Sequence, residues 1–291
     1  IYGSDNGDML IGGSGNDTIK VADVTHFLGS LDGGAGSNTI AFTKAAAYDV
    51  SAKAVTFTNF NLIDVTATNA ASTFSAAQLS GKSLNIIGAG DNDDVVVGKA
   101  DGTLATAVLI DASNINHSGL KSMTLGGSDE ADIIKGTKGN DVIIGGKAAD
   151  AIDLTSGGND KVQVSNVTGG GIDVVTGFQA GDTATVPGAD VIRIDAYTTA
   201  ATGIIDLRTT KVFTKGAGVG EFAALTDVLA TFAAAGANET VANKVSIFNY
   251  DSKVYAILDG GTAGYAAGTD AVVEITGVTG TLHTSNFFTA T

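Results

Sequence analysis

Aspartate returns every nine residues between Gly127 and Gln163. Three nonapeptides, Gly127 to Lys135, Gly136 to Ile144 and Gly145 to Asp153, follow one another without a gap, and a looser copy runs from Leu154 to Gln163. Each of the three places an aspartate sixth (Asp132, Asp141, Asp150) and an isoleucine eighth (Ile134, Ile143, Ile152). The glycines permit positive φ and close backbone approach, which frees carbonyl oxygens to point inward. Carboxylates together with carbonyls are ligands for a hard cation, and calcium suits them.

A ladder of this kind needs elements that repeat with the same period. Isolated Gly-Asn-Asp tripeptides mark hairpin turns, and the copy around Gly36, Ser37 and Asn38 is open to that reading. Three copies in strict register are not, because hairpins have no reason to recur every nine residues. Gly12-Gly13-Ser14-Gly15-Asn16-Asp17-Thr18-Ile19-Lys20 is the fullest copy. It satisfies every defined position of Gly-Gly-x-Gly-x-Asp-x-apolar-x, and with it the chain resembles the calcium-binding repeats of the repeats-in-toxin (RTX) family.

The resemblance implies a parallel β-roll in which six residues turn and three form a strand, so that two nonapeptides make one coil. Residues eighteen apart then stack. Asp132 and Asp150 would share one edge, with room for a cation between them. Asp141 would lie on the opposite edge and meet Asp160, provided one residue is inserted after Asp153. The metal ligands and turn glycines implied in this way are Asp8, Gly12, Gly13, Gly15, Asp17, Gly36, Asn38, Asp91, Asp93, Gly127, Asp129, Asp132, Gly136, Gly139, Asp141, Gly145, Gly146, Asp150, Gly158 and Asp160. Asn38 keeps the turn and weakens the ligand. His26 breaks the pattern eighteen residues after Asp8, so the first sites are expected to be partial.

Composition agrees with a β-rich chain punctuated by glycine. Of 291 residues 40 are glycine and one is proline, the residue that would remove ladder donors. The net charge is −15, and only four of the 31 acids are glutamate. Aspartate is the acid that tolerates turns and reaches a cation held close to its own backbone. With no basic stripe, nucleic acid is not an expected partner. No apolar run is long enough for membrane insertion, and the absence of cysteine excludes disulfides and suits export of an unfolded chain.

Between Ala41 and Thr124 the strict period is lost. Short strands are expected at Val55 to Phe57, Leu62 to Thr66, Leu84 to Ile87, Val95 to Val97, Val108 to Ile110 and Met123 to Leu125. They suit either a solenoid with longer coils or a β-sandwich. Gly169 to Asp182 is similar to the segment that closes RTX arrays, where Phe178 would plug the roll. A helix is expected over Glu221 to Ala235, from Phe222, Leu225, Leu229 and Phe232 on one face. Strands follow at Val245 to Tyr250, Val254 to Leu258 and Ala271 to Thr276, and the loop between the last two could hold an ion between Asp259 and Asp270.

The expected fold is all-β: a calcium-binding parallel β-roll or β-solenoid with variable coils over residues 1–164, with repeat blocks at 1–40 and 125–164. A smaller β-rich C-terminal domain with one helix follows over 165–291, as a capping and type I secretion-signal region. Ile1 and Tyr2 fall at the end of an incomplete nonapeptide, so a longer protein is expected. His26, His117 and His283 are isolated and no catalytic motif occurs, so an enzyme is not expected. The resemblance implies a secreted calcium protein of the bacterial cell surface, similar to RTX-type surface-layer (S-layer) proteins. Its partners would be calcium, the type I secretion machinery and copies of itself in a lattice. The alternative is the calcium-folding and secretion half of an exoenzyme, toxin or adhesin.

Overall fold

The computed structural model describes residues 9–23, 29–90, 92–99, 102–165, 171–181, 186, 189–194, 201, 203–206, 208, 212–216, 221–233, 244–259, 265–267 and 270–287. Over most of this length the chain winds as a parallel solenoid. One face pairs Leu10–Ile11, Ser30–Asp32 and Thr56–Thr58. A second stacks Thr18–Val21, Thr39–Phe42, Leu62–Asp64, Leu84–Ile87 and Ile115–Ser118. The third begins at Tyr48–Asp49 and Ser72–Phe74, continues through Asp94–Gly98 and Ser122–Ser128, and ends with Asp141–Gly146, Lys161–Val164 and Val191–Ile194. All these pairings are parallel, which decides for the solenoid over the sandwich.

The fourth face stacks Leu109–Asp111, Ile133–Lys135, Ala151–Asp153 and Asp173–Thr176, then continues into Ala271–Thr276. Beyond it lie Lys253–Leu258 and Lys244–Tyr250, the pairs that run antiparallel. This sheet therefore crosses from the repeat region into the C-terminal strands without a break.

Isoleucine at the eighth position has a plain cause. Ile110, Ile134, Ile152, Val175 and Ile275 stand in register down the fourth face, and all are buried. Stacked β-branched side chains fill a coil interior with few rotamers to lose. Leu125, Ile143, Val162 and Ile192 do the same on the third face.

Coil length varies as the loops vary. Ile133 pairs with Ala151, eighteen residues on, whereas Val142 pairs with Lys161, nineteen on. The extra residue lies between Asp153 and Asp160. In the N-terminal block Thr18 pairs with Thr39, twenty-one residues on, so the eighteen-residue rule fails there.

The helix is shorter than its sequence pattern. It spans Leu225–Ala233, while Glu221–Phe222 forms a strand beside Val212–Lys215. The acid in its first turn is therefore Asp227, whose Oδ2 accepts from Ala224 N at 3.0 Å. Val228, Leu229 and Phe232 pack against Phe213, Phe248 and Tyr255. A second helix, Ala76–Leu79, was not anticipated, since four residues carry no readable period. Gln78 fixes it, accepting from Ser75 N and donating to Val50 O, both at 2.9 Å.

Candidate metal centre

Each coil turn delivers an aspartate just before a strand, and there the side chain bonds to the coil before it. Asp150 Oδ1 accepts from Asp132 N, and Asp173 Oδ1 from Asp150 N, each at 2.9 Å. On the other edge Asp160 Oδ1 accepts from Asp141 N and Asp190 Oδ1 from Asp160 N, again at 2.9 Å. Two carboxylate ladders thus run along the roll, and all six aspartates are buried. Burying ionised carboxylates is costly unless something of opposite charge meets them. Burial, with the neighbouring aspartates adding to it, pushes Asp150 up to about 7 and Asp160 to about 8. Burial likewise raises Asp173 to about 8 and Asp190 to about 6.

The second oxygens divide the ladder. In Asp132, Oδ1 accepts from Val108 N at 2.6 Å and Ser128 Oγ at 2.8 Å, and Oδ2 from Ser128 N at 2.5 Å. In Asp141, Thr137 supplies its N–H to Oδ2 at 2.7 Å and its hydroxyl to Oδ1 at 2.8 Å. By contrast Oδ2 of Asp150, of Asp160 and of Asp17 is buried without a hydrogen-bond partner.

Glycine makes the space beside these oxygens. A Cβ on Gly145 would collide with Asp150 Oδ2, and one on Gly12 with both Asp17 Oδ2 and the carbonyl oxygen of Gly33 in the next coil. At Gly127 the two oxygens are Asp132 Oδ2 and Gly145 O. Own-turn carboxylate and next-coil carbonyl therefore converge on one point because the first residue of the turn has no side chain.

Residues 1–20 and 126–162 match the model of the RTX calcium-binding nonapeptide repeat, in four copies. The matched turns are similar to RTX calcium-binding repeats. No curated protein and no solved structure matches the chain.

RTX repeats bind Ca²⁺, and the donors fit that ion. Among the described residues no three of histidine, cysteine, aspartate and glutamate form a metal-holding group. The available donors are instead a buried carboxylate oxygen and backbone carbonyls, the set that hard calcium accepts and that a thiolate- or imidazole-seeking metal would not select.

The remaining expected site residues fall into distinct places. Asp141 meets Asp160 across the inserted residue. Gly36 and Gly158, both at φ +120°, stack on Gly15 O and Gly139 O, and Gly146 on Ser128 O. Gly136 lies beside Asp141 Oδ2, Gly13 and Gly15 hold positive φ in the first turn, and Gly139 lies on the ring of His117. His117, which the sequence leaves isolated, places Nε2 3.6 Å from Asp141 Oδ1. Asp129 Oδ2 is paired with Lys147 Nζ at 2.9 Å, a lysine one coil on. Asp93 is engaged by protein donors, taking Ala89 N at 2.6 Å, Asn69 N at 2.7 Å and Thr68 Oγ1 at 3.0 Å. Asp8 and Asp91 lie outside the described residues. Asp173 and Asp190 extend both ladders but are absent from the expected set, because both lie off the nine-residue period. An aspartate immediately before an apolar strand is the signal that would have found them.

Proposed function

We propose that the chain is a calcium-folded structural protein of the bacterial exterior, a component of an S-layer lattice. The observation that carries the calcium-folded part of this reading is the pair of buried, partnerless oxygens on Asp150 and Asp160. Their carboxylates are held by one oxygen to the preceding coil, so in the folded roll the position of the other is fixed. Calcium, when bound, supplies the positive charge and oxygen coordination that such a ladder lacks. Without it the aspartates repel one another and keep the roll open, a state suited to type I export from a calcium-poor cytosol; outside, binding and folding coincide. Extracellular modules typically bind calcium at about 10⁻⁴ to 10⁻³ M.

The C-terminal residues favour a capping role for 165–291, in keeping with a type I secretion-signal region. Phe178 and Phe287 stack at 6.4 Å, both fully buried, and Asn286 Nδ2 donates to Asp190 O at 2.8 Å at the end of one ladder. A structural rather than catalytic use of the acids is favoured by their bonds to backbone N–H groups. Leu109 and Ile133, adjacent in register and each about half exposed, offer apolar contact to a neighbouring copy.

Electron microscopy of the full chain tests the lattice: ordered sheets are expected at millimolar calcium and dissolved protein after chelation. Soluble, calcium-loaded monomers with no ordered assembly would overturn the lattice, and a circular-dichroism spectrum indifferent to calcium would overturn the folding mechanism.

A further inference from the structure

Asn38 occupies in its turn the place that Asp17 occupies one coil earlier. The backbones correspond: Gly12 N donates to Asp32 O at 2.8 Å and Gly33 N to Thr58 O at 3.0 Å. Both side chains face a first-position glycine whose Cβ would collide with the side chain and with a carbonyl of the next coil, Gly33 O in one case and Asn59 O in the other. What differs is the atom presented. Asp17 presents Oδ2, buried and without a partner. Asn38 presents Nδ2, which donates to Gly34 O in its own turn at 3.2 Å and to Asn59 O in the next coil at 3.0 Å. Its Oδ1 accepts from Asp17 N at 2.9 Å, which fixes the orientation of the amide. Asn38 is fully buried.

We infer that the Asn38 amide is a built-in replacement for a metal ion: its two N–H groups join the own-turn and next-coil carbonyls that an aspartate turn would present to calcium. The coil from Leu31 to Ile40 therefore closes without metal, and Nδ2 takes the place of the Oδ2 that an aspartate turn presents to the ion. A neutral amide carries its own protons, so this coil needs no external charge. Asn38 is thus the residue that sets metal dependence at this step of the solenoid. The inference rests on the reading of the aspartate turns as calcium sites.

The test is calcium stoichiometry by calorimetric titration of the full chain, with hydrogen exchange in calcium and in chelator. Asn38→Asp should take up one ion more per chain than wild type, and protection over residues 31–64 should become calcium-dependent. The reciprocal change, Asp150→Asn, should lose one ion and gain protection around Ala151–Asp153 in chelator. An unchanged ion count in Asn38→Asp, or in Asp150→Asn should the first variant not fold, overturns the assignment. Wild-type protein that takes up no calcium overturns instead the reading beneath it, so the two failures are distinguishable.

Discussion

The ladder of Asp17, Asn38 and Asn61 and the ladder of Asp132, Asp150 and Asp173 are wired alike, each side-chain Oδ1 accepting the N–H of its counterpart one coil earlier. They part at the second atom of the side chain. The N-terminal ladder turns from Asp17 to amides, and the buried amide of Asn38 donates to two carbonyls and brings no charge into the interior. In the C-terminal one every member is an aspartate, which brings one negative charge per coil into a buried edge. The lesson is that the backbone of a β-roll turn does not itself demand calcium; the demand comes from an oxygen where a donor could stand. Burying a carboxylate without compensation costs several kcal/mol, whereas a satisfied amide contributes about 1 kcal/mol per bond.

Chelation of the full chain should separate the two regions most strongly. Amide protection is expected to vanish over the coils from Gly127 to Val164 and to persist over residues 29–90, read by hydrogen exchange. Simultaneous loss in both would break the comparison. Next in size is Asp150→Ala, expected to weaken calcium binding by about tenfold or more, each factor of ten being about 1.4 kcal/mol. Asp153→Ala should barely alter it, because Asp153 Oδ1 serves only Thr155 N at 2.9 Å and Thr155 Oγ1 at 2.6 Å in an exposed turn.

Acidity offers a third measurement, without metal. Asp150, Asp160, Asp173 and Asp190 titrate in the fold at about 7, 8, 8 and 6, against an unfolded value of about 3.9. The folded coils therefore hold more protons than the unfolded chain between about pH 4 and 8, and their stability falls as pH rises through that window. In chelator the C-terminal coils should regain β circular dichroism on acidification from pH 8 to 5, and calcium should abolish the dependence. Residues 29–90 should show no matching transition. The smallest effect is expected from Lys147→Ala. Its pair with Asp129 is exposed, so the loss should be within about 1 kcal/mol in a thermal melt at saturating calcium.

Much of this architecture was legible along the chain. The aspartate at every sixth position and the isoleucine at every eighth announce alternating turns and inward strands, since turn chemistry and strand burial are local properties. The insertion after Asp153 was legible too, from the displaced Asp160. The helix boundary was not: the apolar pattern runs on through Phe222, but pairing with Val212–Lys215 draws Glu221–Phe222 into a strand.

By itself, then, the sequence determined a parallel coil lined with oxygen donors, because a fixed period imposes the same turn and the same inward face on each repeat. Only the tertiary structure decided which carboxylates keep an oxygen in reserve. Asp132 and Asp141 are engaged by Ser128 and Thr137 four residues before them, yet Asp160, with Ser156 at the same offset, leaves Oδ2 partnerless. The one-residue insertion lengthens that turn. Whether an oxygen finds a donor depends on the conformation of its own turn, which spacing along the chain does not encode.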